Sequence, residues 1–404
     1  MKIALATVGA TGDIRPFAIL ASALVDRGHA VTVVTWPVHR SAMARPGVRV
    51  ELAGPHADPE RIEAAAADAA ALGPMGQVAA LRDFHLADGA AHYRRLRELL
   101  PGHDLVLLHG IHALAHAAVL DDGLPWASAA FDPVLLPTAT APPPGMPSLG
   151  PLNRAAWWML GRALARAGRP LDQLLAQAGS AQRGLPLFRA RSAELHIVAA
   201  SPSIIVVPPD LPPGTAVTGA WTERSAPRPL AADLESFLAA GQPPVVITFG
   251  SMRGFPPAEL RTAVDLLLAA GRRVVVQGPL DVGLSSPNLT VAEVVDHRAL
   301  FPRSALVVHH GGAGTTHAVA VAGVPSVVVP HVGDQRYWAE RLHRLGVAPD
   351  PLPLARISGE RLAAVALSTA ADREAGAASR VLAEAVNADD GLATSIGLLE
   401  RGQP

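Results

Sequence analysis

Short apolar runs alternate along this chain with longer stretches whose apolar positions recur every three to four residues. Ile3–Thr7 reads as a buried strand and Pro16–Asp26 as a helix, with proline at its start and Gly28 past its end. Val31–Thr35 and Val48–Leu52 read as the next strands, and Asp104–Leu108, Ile111–Leu120 and Trp126–Ala130 as strand, helix, strand. A proline-rich loop, Pro137–Pro151, precedes an amphipathic helix over Arg154–Ala167. Prolines and glycines then cluster from Pro202 to Pro229, a linker by composition. Beyond it the pattern restarts with Val245–Phe249, Ala258–Ala270, Arg273–Gln277, Leu289–Val294, Ala305–His309 and Ser326–Val329, and 360–404 is helical. Strands that are apolar throughout and separated by helices predict parallel sheets covered on both faces.

The expected fold is therefore α/β, with two Rossmann-like doubly wound domains facing across a cleft. The expected division is 1–205, a linker 206–229, a second domain 230–385, and a last helix in 386–404 packing back on the first domain. At 404 residues two domains are the natural count. In such sheets ligands sit beyond the carboxyl ends of the strands.

Composition narrows the chemistry. Half of the residues are hydrophobic, 17% are charged, and the net charge is −1 with no basic block, so nucleic acid is not an expected partner. There is no cysteine, which excludes disulfides and thiolate chemistry. Lys2 is the only lysine and begins the first strand, which removes a P-loop lysine and a Schiff-base lysine. Met1–Thr7 is too short, and too soon followed by Gly9 and Gly12, for a signal peptide. No apolar run approaches the ~18 residues of a membrane span. A cytoplasmic protein, monomeric or homodimeric, is expected.

The most informative stretch is His309-His310-Gly311-Gly312-Ala313-Gly314-Thr315-Thr316. It joins a strand to a helix, so unpaired backbone N–H groups at the positive end of the helix dipole favour a phosphate. His309 adds a donor. In the first half, Gly9-Ala10-Thr11-Gly12-Asp13 places Asp13 at a strand's carboxyl edge, either as a general base or as a helix cap. His109, ending another strand, is a second candidate base or acceptor contact. Gly9-Ala10-Thr11-Gly12 also opens many nicotinamide-binding loops. Here, however, Arg15 replaces the third glycine, and Val34-Thr35-Trp36 lacks the acid that would hold a ribose. Ser251, after the strand Val245–Phe249, would donate to a phosphate. Asp334 and Gln335 suit the vicinal hydroxyls of a sugar, or else cap the next helix. Adjacent strand residues His309 and His310 point to opposite faces and cannot chelate one ion, and there is no Asp-x-Asp; no metal is expected. Trp36, Phe84, Phe131, Trp157 and Trp158 are candidate walls for an acceptor, or plain core.

Together these segments resemble the GT-B glycosyltransferases, in particular the bacterial antibiotic and sterol-type enzymes that use nucleotide sugars. The resemblance spans nearly the whole chain. It is carried by Leu300-Phe301-Pro302, the run His309–Thr316, Ala322-Gly323-Val324-Pro325 and Asp334-Gln335, and in the first half by Gly12-Asp13-Ile14-Arg15-Pro16-Phe17 with Gly28-His29. It implies Asp13 as the base taking the acceptor proton. His309, Ser251 and the amides of Gly311, Gly312, Ala313, Gly314 and Thr315 would hold the donor diphosphate. Asp334 and Gln335 would bind the transferred sugar, and Val294 and Val295 would meet the nucleobase through their main chain. Gly12, His109, Phe84 and Phe131 would lie on the acceptor side. The implied partners are a nucleotide-sugar donor, as co-substrate with no separate cofactor, and a small lipophilic acceptor. Where many relatives have an aromatic or Pro-His pair at the base loop, this chain has Val294-Val295-Asp296-His297-Arg298. A nicotinamide oxidoreductase, an epimerase of the same plan and a catalytically silent partner protein are the rival readings.

Overall fold

The computed structural model describes all residues except 57, 59–71, 73, 145, 186–189, 224, 251, 253–254, 279, 281, 294 and 403–404, and the side chains of 74, 81, 84 and 85. The chain divides into two compact units, one made of Met1–Glu223 with Asp390–Pro404 and the other of Arg224–Asp389.

The first unit holds a seven-stranded parallel sheet. Its strands are β1 (Lys2–Ala6), β2 (Ala30–Thr35), β3 (Val48–Leu52), β4 (Leu105–His109), β5 (Trp126–Ala130), β6 (His196–Val198) and β7 (Thr215–Val217), in the order β3-β2-β1-β4-β5-β6-β7. The second holds a five-stranded parallel sheet of β8 (Val245–Thr248), β9 (Val274–Gln277), β10 (Leu289–Ala292), β11 (Leu306–His309) and β12 (Ser326–Val328), ordered β10-β9-β8-β11-β12. Strand order reverses beside β1 and β4 in the first sheet and beside β8 and β11 in the second. The carboxyl ends of those strands are the places where a doubly wound sheet leaves a crevice for ligand.

Alternate residues of the second sheet feed two cores. Val245, Ile247, Val274, Val276, Leu306, Val308 and Val327 pack with Leu260, Val264 and Leu362 on one face. Val246, Val275 and Val307 pack with Leu234, Leu300, Phe301 and Val319 on the other. Burial on both faces is why these strands read as unbroken apolar runs.

Two expectations are corrected. The composition-defined linker 206–229 contains β7, which pairs with β6 through Ile197↔Ala216 and Val198↔Val217. Both strands have only three residues, too short for a periodic signal, and Pro212-Pro213-Gly214 masks β7. The first helix begins at Thr11, not Pro16, which lies inside it. Its opening bonds run from Asp13 N and Ile14 N to Ala10 O at 2.9 and 3.2 Å. Of the two readings open for Trp36, plain core holds: it is fully buried and stacked beside His39 at 6.2 Å between ring centroids.

The helix Gly391–Arg401 belongs to the first unit. Its Ser395 hydroxyl accepts from Trp221 Nε1 at 2.8 Å and donates to Thr218 Oγ1 at 2.9 Å, while Glu400 pairs with Arg27 and His29 at 3.0 Å. Gly391 packs directly on the Gly219 and Ala220 carbonyls, where a Cβ would overlap backbone. Gly391→Ala is therefore expected to destabilise the first unit by roughly 1–3 kcal/mol. Thermal unfolding checks this, and an unchanged midpoint would contradict the packing described.

Candidate active site

In the first unit the chain leaves β1 through a turn that only glycine accommodates. Gly9 has φ +122°, and a Cβ there would overlap the Asp13 carboxylate. Asp13 Oδ2 accepts the N–H of Ala10 at 2.8 Å, and His39 Nε2 donates to Gly9 O at 2.9 Å. One carboxylate oxygen thus serves as the helix cap. The other, Oδ1, stands 3.8 Å from His109 Nε2, too far for a hydrogen bond. Desolvation pushes the Asp13 carboxyl up to about 6 against the opposing Ala10 N–H, although a third of the side chain (32%) still meets solvent. Burial pushes His109 down to about 4, so it is neutral at pH 7. Its Nδ1 lies 3.4 Å from Val8 O, which can only accept, so the Nε2 lone pair is left on the Asp13 side. At neutral pH the pair is an ionised carboxylate beside an uncharged imidazole. A carboxylate with its pKa near the working pH suits a general base.

Rings pack around His109. Phe17 and Phe131 lie 5.5 and 5.1 Å from it, and Trp221 closes the cluster at 5.6 Å from Phe17 and 5.7 Å from Phe131. Trp221 was absent from the candidate walls because it falls in the stretch read as linker. Gly12 is exposed with open space beside it. Trp157 is buried and donates through Nε1 to Ala141 O at 2.8 Å, whereas Trp158 is 63% exposed. The Phe84 side chain lies outside the described residues.

In the second unit β11 ends at His309 and the helix Ala313–Ala322 starts after the N-cap Gly312. Gly311 has φ +88°, and a Cβ there would lie 2.8 Å from Gln335 O and 2.9 Å from Val328 Cγ1. Bare backbone is required at this turn, and it seats Gln335 against the turn. The first amides of the helix have no intrahelical carbonyl to meet. Gly314 is exposed and Thr315 half-buried.

His309 is fully buried. The Gly311 N–H donates to its Nδ1 at 3.1 Å, so the proton sits on Nε2, which has no partner among the described residues. Burial, then the neighbouring His310 and His297, pushes it down to about 3. His310 is the residue that the sequence reasoning passed over. Its Nε2 edge lies against Gly312, where a Cβ would be 2.5 Å away, and its Cε1 against Gly250, where a Cβ would be 3.2 Å away. His331, after β12, is its neighbour at 6.4 Å between ring centroids. A signal for both was present: residues 304–333 contain no Lys, Arg, Asp or Glu, yet hold four histidines.

Gln335 Oε1 accepts the N–H groups of His331 and Val332 at 2.7 and 3.1 Å, and Asp334 Oδ2 accepts Trp338 Nε1 at 2.7 Å. These atoms brace the turn that leads into the helix Gln335–Arg344, and neither side chain caps the first amides of that helix. The Val295 carbonyl accepts from Gln277 Nε2 at 3.4 Å. Ser251 and Val294 lie outside the described residues. Among the described residues no helix is long and apolar enough to cross a membrane.

Comparison with known proteins agrees with this layout. Residues 275–392 match the family described as erythromycin biosynthesis protein CIII-like, C-terminal domain. The chain is 33% identical to O-mycaminosyltylonolide 6-deoxyallosyltransferase of Streptomyces fradiae over 99% of its own length and 97% of that protein's. In fold it is similar to the glycosyltransferase of kitacinnamycin (TM-score 0.76, 21% identity, 100% and 99% of the two chains). It is likewise similar to the glycosyltransferase VinC in complex with DTDP (TM-score 0.71, 20% identity, 100% and 99%). With a carboxylate at one switch point, a glycine-formed helix start at the other, and relatives of this kind along its full length, the chain belongs to the GT-B glycosyltransferases of the antibiotic-biosynthesis type.

Proposed function

We propose that this glycosyltransferase moves a hexose from a UDP- or dTDP-sugar to a hydroxyl of a lipophilic small molecule, with inversion at the anomeric carbon and without a metal ion. The observation that carries the reading is the helix start at Gly312, where glycine backbone, unpaired amides and a buried imidazole converge at the carboxyl edge of β11. A departing diphosphate needs a fixed positive environment, and helix amides with imidazole donors supply one. That VinC was solved with DTDP supports a thymidine or uridine diphosphate in the same place. The acceptor named for the Streptomyces relative, a tylonolide glycoside, supports a natural-product acceptor.

In the proposed step the Asp13 carboxylate takes the acceptor's hydroxyl proton while that oxygen attacks the anomeric carbon, and the bond to the diphosphate breaks on the opposite side. Oδ1 is the oxygen left for this duty, since Oδ2 holds Ala10. His109, neutral and 3.8 Å away, shapes the environment of the carboxylate. The amides of Gly312 to Thr315 with His309 hold the diphosphate. Ser251 contributes a hydroxyl there, and Asp334 and Gln335 meet the sugar. Val294 and Val295 meet the base through main-chain groups. The nucleotide sugar is a co-substrate and no further cofactor takes part.

Asp13→Asn is expected to lower turnover at least ~100-fold with donor affinity unchanged. Turnover close to wild type would remove Asp13 from the base role and move it to His109. Because the protonated carboxyl cannot accept a proton, kcat/KM for the acceptor, measured at saturating donor, should rise with pH through about 6 and level off above it. A profile flat from about pH 5 to 8 would contradict the assignment.

A further inference from the structure

The donor turn binds a multiply charged anion with little permanent positive charge of its own: the 304–333 segment has no Lys or Arg, and a helix start offers only about half an elementary charge. Its ionisable groups are imidazoles, and their hydrogen bonds constrain where protons sit. His331 Nδ1 lies 2.8 Å from Val329 O, so it carries the proton and donates. His331 Nε2 is then a lone pair, buried and without a partner among the described residues. His310 Nδ1 is likewise buried and unpartnered, while its Nε2 edge is the one at Gly312. The two rings are neighbours, their planes 77° apart and their centroids 6.4 Å apart, and each presents a buried nitrogen without a hydrogen bond among the described residues.

We propose that His331 is a positioning residue for the donor, accepting at Nε2 from His310 Nδ1–H, so that His310 must take up a proton from solvent at Nε2 to donate to the diphosphate. The inference rests on the donor reading above and extends it to a residue outside the assigned set. A lone pair on His331 Nε2 admits only a proton on His310 Nδ1. Neutral His310 in that tautomer would present a second lone pair to the phosphate oxygens, which is repulsive. Protonation removes the conflict, giving one N–H to His331 and one to the diphosphate. In the free protein burial holds His310 at about 3 and His331 at about 4, so both are neutral at pH 7 and the proton arrives with the ligand. The other group facing the pair is His297, an imidazole that disfavours a proton on His310 in the free state. Asp334, the nearest carboxylate in sequence, is already bonded to Trp338.

The test is calorimetric titration of the full chain with dTDP and with UDP, in buffers of different protonation enthalpy and at several pH values. Wild type should take up a fraction of a proton approaching one, with affinity falling toward tenfold per pH unit as pH rises. His331→Ala should lose most of that uptake and flatten the pH dependence. His331→Gln, whose side-chain carbonyl can accept from His310, should retain both in part. A purely structural role would lower thermal stability in both variants without changing the proton count. Nucleotide binding with no proton uptake by wild type, or full uptake in His331→Ala, would overturn the inference and leave the donor reading standing. No binding of either nucleotide to wild type would bring down the donor reading and this inference with it. Should His331→Ala not fold, the wild-type proton count and His331→Gln decide the matter.

Discussion

A helix that begins where a parallel strand ends must leave its first amide N–H groups without carbonyl partners, and everything assigned to the second unit depends on how this chain resolves that at Gly312. The strand's last residue, His309, turns inward and takes the Gly311 N–H. Gly311 leaves room for the Gln335 backbone. The chain then enters the helix with its amides toward the crevice beside β8, the place where strand order reverses. A side chain at Gly311 would push away the Gln335 turn that braces His331 and Val332. One glycine thus ties the helix start proposed to hold the diphosphate to the turn that carries the candidate sugar contacts.

The first unit meets the same constraint differently. There the Asp13 carboxylate captures the Ala10 N–H, so the chain's own negative charge stands at that switch point. Capping takes one oxygen of the side chain and leaves the other, Oδ1, for the proposed base role. The capping bond would by itself lower the pKa of the carboxyl, yet desolvation outweighs it, which places the group near the working pH.

Much of this was legible from the chain. The parallel architecture followed from apolar runs with no period of two, and β3 and β5 have the bounds expected for them. The strand-to-helix turns at Gly311-Gly312 and at Gly9–Asp13 were legible because glycines mark such junctions. Features that were missed share one cause: they depend on contacts distant in sequence. β6 and β7 have three residues each and exist because β5 offers an edge to pair with. Trp221 gains its place from Phe17, Phe131 and Ser395. His310 and His331 meet only because β11 and β12 are neighbours. Strand alternation separates His309 from His310: the first ring turns inward, and the edge of the second lies at Gly312.

The most direct measurement is a crystal structure of the chain with dTDP bound. The account predicts pyrophosphate oxygens within hydrogen-bonding distance of the Ala313 to Thr315 amides, at about 2.7–3.2 Å. A nucleotide seated elsewhere, with those amides facing only water, would contradict it.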